Sequence, residues 1–274
     1  MLPTIGSKEL VALLPSLLGL RGRLLFPDLA YPTYDIGARL AGCAPVPVPT
    51  SDGLLDVAAL DPRDAAALWV NYPANPHGRV APPGHLAEVV AWGREHGVLV
   101  LSDECYVEFG WTATPASVLA HGAGGVLAVH SLSKRSNMAG YRAGFVAGDA
   151  GVVARLLEVR KHAGLIVPFP VQAAMVAALG DDAHVADQRA RYAERREALL
   201  PALARAGWRV EHSEGGLYLW ATRGEDCWES VAWFAGRGIL VAPGEFYGGA
   251  GSRHVRIALT APTLRVCAAA DRLE

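Results

Sequence analysis

Short apolar runs recur through the first half of this chain, and polar residues follow most of them. Leu24-Leu25-Phe26, Ala67-Leu68-Trp69-Val70, Val98-Leu99-Val100-Leu101 and Val126-Leu127-Ala128-Val129 are strand-length runs without polar alternation. They read as strands covered on both faces. Further short strands are expected near 45–48 and 144–148. Helical spacing predicts helices over about 8–19, 33–42 and 83–96, the last with Leu86, Val89, Val90 and Trp92 on one side. Tyr72-Pro73-Ala74-Asn75-Pro76-His77-Gly78 is a breaker-rich turn. Strands alternating with helices indicate an α/β domain with a mostly parallel, mixed sheet flanked by helices.

The second half is patterned differently. Helices are expected at 150–162 and 170–180, and then a long, charged one over 183–206. Strands near 208–212, 217–222, 239–242 and 254–259 follow, with helices at 227–237 and from 262. This α+β pattern divides the chain into a large domain, 1–182, and a smaller C-terminal domain, 183–274.

Composition narrows the function classes. The 274 residues are 51% hydrophobic and 19% charged, as in an ordinary cored protein. A net charge of −2 gives no basic patch for nucleic acid or membrane. Four scattered cysteines (Cys43, Cys105, Cys227, Cys267) form neither a zinc motif nor a disulfide framework, and the start lacks a secretion signal. A cytoplasmic protein is expected. Nine dispersed histidines suggest no metal site.

Candidate chemistry lies where the strands end. Asn75, Asp103 and the set Ser131-Leu132-Ser133-Lys134 each follow a buried strand, and ligands bind at that edge of an open α/β sheet. Only three of the 25 Lys and Arg residues are lysines: Lys8, Lys134 and Lys161. Lys134 is therefore singled out as a nucleophile, because an amine can lose its proton and a guanidinium cannot. An isolated Ser-x-x-Lys is more often a surface lysine; the other strand ends change that balance. Pyridoxal phosphate would use the whole set. Its aldehyde needs a lysine, its ring nitrogen a buried carboxylate, and its ring oxygen neutral donors such as Asn75 and Tyr106. Its phosphate suits hydroxyls, N–H groups and a forked cation, namely Gly6, Ser7, Lys8, Ser131, Ser133 and Arg142. Tyr31 offers a ring face for stacking.

Asn75-Pro76-His77-Gly78, Ser102-Asp103-Glu104-Cys105-Tyr106, Ser131-Leu132-Ser133-Lys134 with Arg142, and Arg256 in His254-Val255-Arg256-Ile257 resemble, in order, the signature of class I/II (fold-type I) aminotransferases. Pro3 to Leu10, Leu29 to Tyr34, Arg160 to Gly164 and Gly216 to Trp220 are most similar to succinyldiaminopimelate aminotransferases. The resemblance implies a homodimeric transferase of lysine and diaminopimelate biosynthesis. Its substrates are amino acids and 2-oxo acids, with glutamate donating to an N-succinylated keto acid. It implies Lys134, Asp103 and Tyr106 as catalytic residues. Gly6, Ser7, Lys8, Tyr31, Asn75, Ser131, Ser133 and Arg142 join them around the cofactor. Arg256, with Asn75 and Tyr31, faces the substrate, Arg256 taking its carboxylate. Arg135 and Lys161 read as structural or solvated. His77 stands where the family usually has threonine. The family's segment ahead of Gly6 is missing from the sequence, so uncovered apolar surface and weak cofactor binding are expected. A β-lyase, another aminotransferase and a non-catalytic ligand-sensing form remain as alternatives.

Overall fold

A computed structural model describes residues 1–273. The larger of its two main sheets contains β1 (Leu2–Ile5), β2 (Arg23–Pro27), β3 (Ala44–Val48), β6 (Ala65–Asn71), β7 (Leu99–Asp103), β8 (Val126–Ser131) and β9 (Ala143–Gly148). β4 (Thr50–Ser51) and β5 (Leu54–Leu55) form a separate hairpin. The order is β1-β9-β8-β7-β6-β2-β3. The run from β3 to β8 is parallel, and β9 and β1 close one edge antiparallel.

Both faces are covered, as the unbroken apolar runs require. Trp69, Leu101, Leu127 and Val129 point to one face, where they pack with Leu10, Leu14 and Tyr34 of helices α1 (Gly6–Leu17) and α2 (Thr33–Leu40). Leu68, Val70, Val100 and Ala128 point to the other, against Leu86, Val89 and Val90 of α3 (Pro83–His96). Each such fully buried aliphatic side chain contributes roughly 1.5–3 kcal/mol. Register places Asn71 opposite Asp103 and Asp103 opposite Val129. Three neighbouring strands therefore end side by side.

After β8 come the short α4 (Leu132–Arg135), α5 (Ala150–His162), α6 (Phe169–Leu179) and the long α7 (Ala183–Arg205). The second sheet is antiparallel: β10 (Arg209–Glu211), β11 (Tyr218–Thr222), β13 (Val255–Ala258) and β12 (Ala242–Pro243) in spatial order. It packs with α7, α8 (Cys227–Ala235) and α9 (Thr263–Asp271). Its core also takes in Cys105, Tyr106 and Phe109, which follow β7, so one short segment links both cores.

Three expectations are corrected. β1 was not foreseen: four residues including Pro3 gain strand form by pairing with β9. The first helix starts at Gly6 and ends at Leu17, two residues earlier at each end than the spacing suggested. The strand expected over 239–242 is reduced to Ala242–Pro243. There the Ile239 N–H turns back to the Phe234 carbonyl at 3.0 Å, ending α8, and Leu240 is 93% exposed.

Candidate active site

Asn71, the last residue of β6, organises the turn after it. Its amide donates to the Asp103 carbonyl (2.7 Å), and its side-chain oxygen accepts the Asn75 N–H (2.7 Å). Both asparagines are buried. The turn is thereby tied to the next strand, and Asn75 is brought to the cavity.

Asp103 closes β7 with a buried carboxyl. One oxygen accepts the Tyr34 hydroxyl at 3.1 Å and the other the Cys105 N–H at 3.2 Å. Burial pushes its pKa up, and these two donors work against that shift. Tyr34 is fully buried and stacks on Trp69, with ring centroids 5.0 Å apart and planes 15° apart. Tyr106 shares a 3.1 Å hydrogen bond with Tyr218. Burial first, then the Tyr218 phenol, holds the Tyr106 phenol well above its ordinary pKa.

At the end of β8, Ser131 caps α4 by accepting the Ser133 N–H at 3.1 Å. Lys134 lies in that short helix and lines the cavity. Arg135 turns away to Asp182 (2.5 Å), Glu108 (3.3 Å) and the Ala178 carbonyl (2.8 Å), a structural role. Lys161 pairs with Glu158 on the surface. Arg142 has a left-handed backbone (φ 54°) and donates to the Ala139 carbonyl at 2.8 Å. Its guanidinium lies against Gly6, where a Cβ would stand 2.5 Å from Nη2. With φ of 69°, glycine is required there twice over. The start of α1 has no side-chain cap, so its first N–H groups stay available beside Arg142. The Cys105 thiol donates to the Ser7 hydroxyl at 3.2 Å, tying this helix start to the Asp103 strand.

Arg256 enters from β13. Its Nη1 donates to the Asn75 side-chain oxygen at 2.8 Å. Its guanidinium lies 3.8 Å from the Tyr218 ring centroid and 4.9 Å from that of Tyr247. Its Nε is buried without a hydrogen-bond partner.

These groups surround one cavity of about 450 Å³. Ser7, Lys8, Tyr31, Asn75, Asp103, Tyr106, Ser131, Ser133, Lys134, Arg142 and Arg256 all line it, and Gly6 sits behind Arg142. Among the residues that sequence reasoning singled out for the site, none falls elsewhere. It missed Asn71, Cys105, Tyr218, Phe246 and Tyr247 in the lining, and Tyr34 behind Asp103. His77 lies outside the lining. It is buried, and its Nδ1 accepts the Arg79 N–H at 3.2 Å. Burial, with His212 nearby, holds its pKa down to about 3.

The donor set fits pyridoxal phosphate. Four cations (Lys8, Lys134, Arg142, Arg256) face the cavity against one carboxylate, Asp103. Among the described residues none of the four has a carboxylate within ion-pair distance. Such a cavity is electrostatically incomplete without anions. Arg256 Nε, buried and unbonded, is the sharpest sign of a missing acceptor.

The family described as aminotransferase class I and II matches residues 2–273. A probable aminotransferase of Mycobacterium tuberculosis is 60% identical over 99% of this chain, which spans 65% of that protein. The 4-dedimethylamino-4-oxo-anhydrotetracycline transaminase OxyQ of Streptomyces rimosus is 55% identical over 99% of this chain and 76% of its own length. Among solved structures, a probable N-succinyldiaminopimelate aminotransferase from Thermus thermophilus superposes with a TM-score of 0.91. It is 34% identical, with 99% of this chain and 76% of that one covered.

Proposed function

Since the chain belongs to the class I and II aminotransferases, a family dependent on pyridoxal phosphate, we propose that it transfers an amino group from an amino acid such as glutamate to a 2-oxo acid. The observation that carries this reading is the convergence on one cavity of Lys134, Asp103 and Arg256, whose Nε has no hydrogen-bond partner. When bound, the pyridoxal ring draws electrons from a bond at the amino carbon attached to it. The protein's residues do the rest. Lys134 Nζ would hold the cofactor aldehyde and, when free, would move a proton between the substrate Cα and the cofactor carbon that bore the aldehyde. Asp103, buried and aligned by Tyr34, keeps a proton on the ring nitrogen. Asn75 and Tyr106 would hold the ring oxygen, and Tyr31, also in the cavity wall, would offer a ring face for packing. Ser7, Ser131, Ser133, Arg142 and the start of α1 hold the phosphate. Arg256 grips the α-carboxylate with a planar fork.

These assignments use three of the four cations. Lys8 Nζ, 5.7 Å from the centre of the Tyr31 ring, is left for a second, distal carboxylate. That supports a dicarboxylic donor, and an N-succinyl-diaminopimelate-type acceptor in diaminopimelate and lysine formation. The apolar face of α6, with Phe169 81% and Val176 74% exposed, supports a homodimer. The assignment is tested by single-turnover release of 2-oxoglutarate from glutamate by the cofactor-loaded protein, followed by restoration with candidate 2-oxo acids. Stoichiometric release is expected; release of ammonia or pyruvate from amino-acid substrates would point to lyase chemistry instead.

One observation favours a second acceptor class. Phe246, 57% exposed, carries the cavity wall outward to Trp228, whose ring meets it edge-on at 5.8 Å. Trp228 is held by a 2.7 Å bond to Glu245. This aromatic rim suits a ketone with a large planar group, such as the substrate named for the Streptomyces relative.

A further inference from the structure

Arg256 stands on β13 of the second sheet, whereas its partner Asn75 belongs to the turn after β6 of the first. That bond therefore crosses between the two sheets. Beside it runs a second crossing. The Ser213 N–H donates to the His77 carbonyl at 2.9 Å, and the Gly215 N–H to the Gly78 carbonyl at 2.8 Å. The Glu214 carboxylate accepts the Val80 N–H at 2.9 Å and ion-pairs with Arg79, which also reaches Asp52 at 2.7 Å. Two glycines permit this approach. A Cβ on Gly78 would meet the Gly215 carbonyl oxygen at 2.5 Å, and one on Gly215 would meet Pro73 at 2.9 Å. Arg79 and Glu214 are both largely shielded, with side chains 20% and 23% exposed, so water screens the pair less than an open surface bridge.

Neither Arg79 nor Glu214 lines the cavity. Each is nevertheless four residues along the chain from a group packed on Arg256. Asn75 accepts the Arg256 guanidinium, and Tyr218 lies under it. We infer that the Arg79–Glu214 pair is a latch that sets Arg256 against Asn75 and Tyr218, making both members positioning residues for the substrate carboxylate. This rests on the reading of Arg256 as the carboxylate grip. It adds that the grip's geometry is set by a contact outside the site.

The experiment pairs Glu214→Gln, which keeps an acceptor for the Val80 N–H but removes the charge, with Glu214→Ala and Arg79→Lys. Succinate, a dicarboxylate that needs no chemistry, is titrated calorimetrically into wild type and variants. Cofactor affinity and Tm are measured alongside, and KM and kcat for glutamate where turnover occurs. In Glu214→Gln, succinate affinity and KM should weaken about five- to tenfold, with kcat and cofactor affinity within about twofold. Arg79→Lys, which keeps a charge opposite Glu214, should show a smaller loss of the same kind. If Glu214→Ala fails to fold, Glu214→Gln and Arg79→Lys decide. A lowered Tm with unchanged succinate affinity and KM would overturn the latch, as would wild type that does not bind succinate. Succinate binding that weakens as expected in a protein without transamination would keep the latch and remove the enzymatic reading.

Discussion

Tyr34→Phe removes one oxygen from behind the candidate site and little else. The phenyl ring retains its stacking on Trp69 at 5.0 Å, so no cavity beyond the lost hydroxyl opens. What disappears is the 3.1 Å donation to Asp103, one of two hydrogen bonds holding that carboxyl. A hydrogen bond to a charged buried group is worth about 1.5–3 kcal/mol. Because that bond favours the ionised form of Asp103, its loss raises the Asp103 pKa further and should weaken the grip proposed for it on the cofactor's ring nitrogen. Taking the lower end, about 1.5 kcal/mol, pyridoxal phosphate affinity should fall roughly tenfold. Fluorescence or absorbance titration of the cofactor measures it, with circular dichroism to verify the fold. The loss should deepen below neutral pH, where Asp103 takes up its proton more readily than in wild type. Affinity within twofold of wild type across pH 6 to 8 would refute the reasoning.

Gly6→Ala adds a methyl 2.5 Å from Arg142 Nη2 at a φ of 69°. Phosphate-dependent cofactor affinity should drop at least about tenfold, while pyridoxal without its phosphate is affected less. Arg256→Lys keeps the charge but loses the fork, so KM for glutamate should rise by roughly one to two orders of magnitude, read by steady-state kinetics. Cofactor-free stability should fall with acid. His77 is buried and His130 half-buried, and desolvation holds their pKa values down to about 3 and about 4. Their unfolded forms bind protons first, so stability is full above about pH 6.5 and declines below it, by about 2 kcal/mol per histidine at pH 5. Asp103, raised by burial, acts with the opposite sign, relieving strain as it protonates. Urea midpoints at pH 7 and 5 should therefore differ, and His77→Thr should roughly halve the difference.

The strand ends were legible because a parallel sheet buried on both faces writes itself as unbroken apolar runs, and the polar stretch that follows each run marks the edge. Asp103 and Lys134 were found that way. Asn71 was not, since it reads as the strand's own last residue, and only its register opposite Asp103 reveals its place. Tyr34 and Tyr218 were missed for a related reason. A tyrosine within an apolar pattern looks like core packing until the partner of its hydroxyl is known. Ile239-Leu240-Val241 misled in the opposite direction. The segment carries β-type composition, yet the Ile239 N–H is spent closing α8 on Phe234, and Leu240 faces outward. The crossing between 77–80 and 213–215 left no periodic trace, because it joins two loops.

With only Lys8, Lys134 and Lys161 in the chain, the central claim can be tested at the level of a single atom. The protein is saturated with pyridoxal phosphate, reduced with borohydride, digested and analysed by mass spectrometry. One reduced cofactor on the peptide carrying Lys134, absent in Lys134→Arg, is the expected result. Cofactor attached instead to Lys8 or Lys161, or retained undiminished in Lys134→Arg, would contradict it.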